Sequence, residues 1–156
     1  MLAEAGYEES IESARERLLG TIRDGSALKK LAEMVEAQGG DPKAVYDTSL
    51  LPDAKVKIPA PAKEGGYVKR IHAERVGLVS MHLGGGRATK ESSIDLSVGV
   101  VLEKKVGDKV EPGESLGTIH ASSMEKALEA AELLRGCFEL SPEPVQRPAF
   151  IKDIIR

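Results

Sequence analysis

The sequence predicts an α+β protein, with a helical N-terminal part over residues 1–51 and a mixed-sheet part over residues 52–156. Three observations point there. Apolar residues recur at helical spacing between Ser10 and Tyr46, framed by cap and stop signals. At Pro52 the texture changes, and Pro52, Pro59 and Pro61 bracket a short alternating run. Beyond it, short apolar runs separated by glycine and proline turns alternate with two more helical patterns.

Met1 to Gly6 reads as the last turn of a helix that begins earlier. Ser10 is then an N-cap, Ile11, Ala14, Leu18 and Ile22 form a helical stripe, and Asp24-Gly25 stops it. A second helix runs from Ser26, with Leu28, Leu31, Met34 and Val35 as its buried stripe and Gly39-Gly40 as its stop. Asp41-Pro42 opens a short third helix to about Tyr46.

In the second part, Lys55 to Ile58 and Gly66 to Ile71 are expected strands. Ala73 to Leu83 is an expected helix with Val76, Val79 and Leu83 on one face, ended by Gly84. Val98 to Leu102 is the next strand. Gly107-Asp108 reads as a hairpin turn, with Lys104-Lys105 on its solvated edge. Glu111 to Glu114 is a second turn, and Leu116 to His120 a strand. Ser122 and Glu125 form a capping-box pair for a helix to Arg135, closed by Gly136. Phe138 to Leu140 is the final strand. In the proline-rich tail, Ile151, Ile154 and Ile155 are expected to dock on the protein.

Composition narrows the function classes. With 41% hydrophobic and 30% charged residues the chain is ordinary for a globular protein. A net charge of −3 offers no basic field for nucleic acid, and 3% aromatics with no Trp argue against a base-stacking platform. The core must be aliphatic. One cysteine, Cys137, excludes an intrachain disulfide and reads as a small buried hydrophobe. No run is long and apolar enough to span a membrane, and MLAEAGYEES lacks the basic start of a secretory signal. A reducing cytoplasm is the expected location.

The candidate site is the loop Gly84, Gly85, Gly86 and Arg87. Consecutive glycines permit close backbone approach, and the guanidinium could hold an anion or a carboxylate. The loop nevertheless follows a helix C-terminus, whose dipole repels anions, whereas phosphate loops precede helix N-termini. Neither GxGxxG nor GxxxxGK[ST] occurs. A helix stop with close packing is therefore preferred to an anion contact. A carboxylate or carbonyl is the expected partner of Arg87. A positive φ at Gly85 or Gly86 would make that position intolerant of β-branched residues.

Glu91 and Asp95 could do acid–base work, but local turn hydrogen bonds from Ser92 and Ser93 explain them as well. His72, His82 and His120 lie in no HxxxH or HExxH pattern, and Cys137 has no partner, so a metal site is not expected. His72 and His120 read as cap or surface groups.

The segment KVGDKVEPGESLGTIH resembles half of a lipoyl- or biotinyl-type motif, which would imply a free-standing barrel-sandwich binding or carrier module. No acceptor lysine stands at a hairpin tip. A longer resemblance runs from GGYVKRIHAERVGLVSMHLGGGRATKESSIDLSVGVVL through KKVGDKV to TIHAS. With SARERLLGTIRDGSALKKLAEMVEAQGGDP upstream, the chain resembles the C-terminal domain of the pyrimidine-nucleoside phosphorylases, including thymidine phosphorylase.

That resemblance implies a helical connector over 1–51, the tail of an α/β lobe. It implies an α/β-hammerhead, barrel-sandwich-like mixed-sheet domain over 52–156. It further implies a cytoplasmic homodimeric pentosyltransferase that converts a nucleoside and inorganic phosphate to free base and pentose 1-phosphate. The family's phosphate and base sites lie in its N-terminal two-thirds, including a Lys-His-Ser stretch absent here. The implied role is structural, with no catalytic residue, metal or cofactor in this chain. Its partner would be the rest of a phosphorylase chain, not nucleic acid or a membrane.

Overall fold

The computed structural model describes residues 1–87 and 89–153. They form two compact units, Met1–Leu51 and Pro52–Arg156.

In the first unit, the turn through Met1 to Gly6 is helical in its hydrogen bonding and ends at Gly6. Helix α1 spans Ile11–Arg23. Ser10 caps it reciprocally: Ser13 N–H donates to Ser10 Oγ at 3.0 Å, and Ser10 N–H donates to Ser13 Oγ at 3.2 Å. Gly25, at φ 77°, turns the chain into helix α2, Ser26–Ala37. Two 3₁₀ turns follow, Pro42–Val45 and Thr48–Leu50, each opened by an aspartate that accepts a backbone N–H two residues on. The expected third helix is thus a single 3₁₀ turn.

Most of the stripe expected to be buried on α2 is not; Val35 alone of its four residues is half-buried. Leu28, Leu31 and Met34 are 44%, 42% and 50% exposed, and only Ala14 and Ala32 are buried in this unit. Two short helices cannot cover their own apolar faces; such faces need another packed layer.

The second unit holds two three-stranded antiparallel sheets. Strands are β1 (Val56–Pro61), β2 (Gly66–Ile71), β3 (Gly99–Leu102), β4 (Lys109–Val110), β5 (Ser115–Ala121) and β6 (Phe138–Ser141). One sheet has the order β1-β5-β3 and the other β4-β2-β6. Helix α3 is Ala73–Ser80 and continues into a wide π-type turn, Met81–Gly85; helix α4 is Met124–Arg135. Ala127, Ala130 and Ala131 are buried on α4, and their small side chains let it lie close on β1 and β5. The core there joins Ala60, Val79, Leu83, Ile119, Ala121, Leu134 and Cys137. A smaller cluster of Ala62, Val68, Val110 and Leu116 serves the other sheet.

Several expectations are corrected. Strand β1 runs through Pro59 and Pro61 rather than stopping at Ile58. It is an edge strand, where a missing N–H can be tolerated, and its register shifts between those two prolines. Gly107-Asp108 does not close a hairpin: β3 pairs with β5, whereas β4 pairs with β2. The turn's backbone instead exchanges hydrogen bonds with Val68, at 2.8 and 2.9 Å. Lys104 is not a solvated edge. It is part-buried, pairs with Glu114, and donates to the Lys109 carbonyl at 3.3 Å. The α4 N-cap is Ser123, one residue after the expected Ser122; its Oγ accepts from Lys126 N–H at 3.4 Å. Ile151 is exposed rather than docked, and Ile154 and Ile155 lie outside the described residues. No helix among the described residues is long and apolar enough to cross a membrane.

Candidate functional site

The glycine loop grows out of the end of α3. Each of its glycines has a local reason. Gly84 takes φ 107°, which turns the chain out of the helical path. Its carbonyl accepts the Asp95 N–H at 3.0 Å, closing the polar loop behind it. Gly85 is required by space: a Cβ there would lie 2.9 Å from Ser80 Oγ, 3.1 Å from the Ser80 carbonyl and 3.3 Å from the Val98 carbonyl. Gly86 is extended, at φ −147°, and a Cβ there would lie 3.3 Å from Met81 Cγ. The positive φ entertained for Gly85 or Gly86 thus belongs to Gly84.

Arg87 is exposed. The expected carboxylate or carbonyl partner is not found for it among the described residues. The loop lies at the negative end of α3, and no second basic side chain of the described residues is hydrogen-bonded into it.

Glu91 and Asp95 do not form an acid–base pair. Asp95 accepts from Ser97 N–H at 2.9 Å and Ser97 Oγ–H at 2.6 Å. These hydrogen bonds hold its carboxyl below the usual aspartate range, the Ser97 hydroxyl contributing most. A carboxylate so held is a poor proton acceptor near neutrality. Ser92 Oγ accepts from Thr89 N–H at 3.1 Å, so the serine also serves the turn.

The histidines are dispersed. His72 precedes α3 and its Nε2 lies 2.6 Å from Glu139 Oε1 on β6. His82 Nε2 lies 3.1 Å from Glu129 Oε2 on α4. His120 is within β5, opposite Lys57 and Gly99. Among the described residues no group of three His, Cys, Asp or Glu side chains could hold a metal ion. Cys137 is 1% exposed, and its Sγ–H donates to the Leu133 carbonyl at 3.3 Å. Burial pushes the thiol pKa up, away from thiolate reactivity.

Sequence reading missed a groove between α3 with its following turn and α4. Leu78, Met81 and Leu133 wall it, Val79 and Cys137 floor it, and Arg75, His82 and Glu132 rim it. The two His–Glu pairs were equally invisible, because their partners are 67 and 47 residues apart in sequence. The only sequence signal for the groove was the excess of apolar residues on α3, beyond the Val76, Val79 and Leu83 stripe.

Residues 67–141 match the family described as the pyrimidine nucleoside phosphorylase C-terminal domain. The chain is 50% identical over 146 residues to a pyrimidine-nucleoside phosphorylase of Geobacillus stearothermophilus, covering 94% of this chain and 34% of that protein. It is 47% identical over 122 residues to the Bacillus subtilis protein of that name, covering 78% and 28%. With a Staphylococcus aureus relative it shares 45% over 125 residues, covering 80% and 29%. The chain thus spans about a third of the length of the curated relatives it matches. Residues 67–141 thus belong to the pyrimidine nucleoside phosphorylase C-terminal domain family, and the similarity to pyrimidine-nucleoside phosphorylases extends over most of the chain.

Proposed function

We propose that these 156 residues serve as the C-terminal structural domain of a pyrimidine-nucleoside phosphorylase, a cytoplasmic pentosyltransferase. That enzyme would convert a pyrimidine nucleoside and inorganic phosphate to free base and pentose 1-phosphate. One observation carries the reading: 50% identity over 146 residues to a relative of which this chain spans only 34%. The phosphate- and base-holding parts would belong to the remaining two-thirds, and the enzyme would work as a homodimer. This domain would buttress the catalytic lobes as they close on substrate.

The fold reading that accompanies it is an α/β-hammerhead with barrel-sandwich character. Two three-stranded antiparallel sheets linked by a strand–helix–loop crossover support it.

The chain alone would not phosphorolyse nucleosides. Cleavage of the glycosidic bond needs phosphate positioned against the anomeric carbon and charge stabilised as it develops. The glycine loop offers one exposed arginine at the negative end of a helix. The test is a phosphorolysis assay of the purified chain with uridine or thymidine and phosphate. No release of base above the buffer rate is expected, and steady turnover would overturn the reading.

A further inference from the structure

Helix α3 and the turn after it carry two apolar faces. Val76, Val79 and Leu83 face the core, packed with β3 and α4. Away from it, Leu78 and Met81 remain 51% and 37% exposed, and Leu133 of α4 is 49% exposed across the groove. The two segments run antiparallel along that groove. At one end Arg75 donates to the Gly136 carbonyl at 3.5 Å; at the other His82 meets Glu129 at 3.1 Å. The result is an apolar centre over a buried floor of Val79 and Cys137, closed by polar groups at both ends. That is the anatomy of an interface, with apolar core and polar rim. A helix pair facing water along its whole length would carry polar side chains at positions 78, 81 and 133.

We propose that the α3–α4 groove is the face through which this domain docks on the part of a phosphorylase chain outside these 156 residues. The inference rests on the function proposed above and goes beyond it by assigning the contact surface. The occupant follows from length: the relatives are about three times as long as this chain's match to them, so about two-thirds of such a protein would lie outside this domain and part of it would have to pack against some face. The groove presents apolar walls for it on α3, the turn that continues it, and α4. A second copy of this chain is a poorer occupant. Three large apolar side chains per partner fall well short of what a stable dimer buries.

The test uses full-length protein. This chain replaces the matching segment of the Geobacillus stearothermophilus relative, and the chimera is compared with its Leu133→Glu and Met81→Lys variants. Leu128→Glu, on an exposed face of α4 outside the groove, is the control. The same substitutions are melted in the isolated chain. The groove variants should lower phosphorolysis by about tenfold or more and lower the melting temperature of the chimera more than that of the isolated chain. The control should do neither. Equal effects in chimera and isolated chain would overturn the inference while leaving the proposed function standing. A parent chimera without phosphorolysis would overturn that function and the inference with it. A dimer of the isolated chain that Leu133→Glu dissolves would reassign the face to a second copy.

Discussion

Ser80 and Gly85 meet across the π-type turn so closely that a Cβ on Gly85 would lie 2.9 Å from Ser80 Oγ and 3.1 Å from the Ser80 carbonyl. The hydroxyl could rotate away, but the carbonyl cannot, and the Val98 carbonyl closes the other side at 3.3 Å. Gly85→Val should therefore cost about 1–3 kcal/mol by overpacking. Gly84→Val should cost a similar amount, about 1–3 kcal/mol, through backbone strain at φ 107°. Denaturant melts check both. The crowding at Gly85 comes from two backbone carbonyls, so a Ser80→Gly background should relieve neither variant, and a Gly85→Val chain that melts like the parent would show that the site is not crowded.

Leu134 is fully buried where α4 meets the sheet of β1, β5 and β3, whereas Leu128 on the same helix is 58% exposed. Leu134→Ala should cost about 2–5 kcal/mol, from lost transfer energy plus the cavity left behind. Leu128→Ala should stay within about 0.5 kcal/mol. Matched melts that gave equal losses would contradict the placement of the core.

Ser123 rather than Ser122 caps α4. Ser123→Ala should cost about 0.5–1 kcal/mol, at the lower end for a cap because its hydrogen bond is long at 3.4 Å. Ser122→Ala should leave the melting curve unchanged.

Acid should unfold the chain gradually. Asp95 is held low by Ser97, Asp47 by Ser49, Asp108 chiefly by the Lys105 N–H, and Glu114 chiefly by Lys104. Each has a folded pKa below its unfolded value, so the folded state binds fewer protons in acid. The stability each contributes is fully present above the ordinary carboxylate range and is lost as pH falls through the folded pKa. Melting temperature should be flat near neutrality and fall below about pH 4. Asp108→Asn should make that fall shallower, and a profile equally steep in parent and variant would exclude Asp108 as a contributor.

Cys137 should resist modification. Its thiol is buried and its pKa raised by desolvation. An aromatic disulfide reagent at mildly alkaline pH should react on the order of a hundredfold more slowly with the native chain than with the unfolded one. Rapid native labelling would show that the groove floor opens readily.

Much of the fold was legible because its signals are local. Ser10, Gly25 and Gly136 bound their helices as their residue types predict, since a cap or a stop is decided by the few backbone groups beside it. The bounds of β2 were likewise readable from the glycine that opens it and the alternating run that follows. The glycine loop was recognisable as the end of α3, but which glycine was strained and which was crowded was not. Crowding at Gly85 depends on Val98, thirteen residues away, and on the wide turn that replaces the last helical turn.

By itself, then, the sequence determined the α+β class, the position of most helices and strands, the aliphatic core and the resemblance to a phosphorylase C-terminal domain. The tertiary structure decided how the strands were partnered. It sent β3 to β5 and β4 to β2, although Gly107-Asp108 looks like a hairpin turn. It also left Leu28, Leu31 and Met34 half exposed, brought His82 to Glu129, and opened the groove beside them. The physical reason is that caps, turns and periodicity are settled by neighbours in sequence. Strand partners, burial and grooves depend on which distant surface is available to exclude water, and a local pattern carries no record of that.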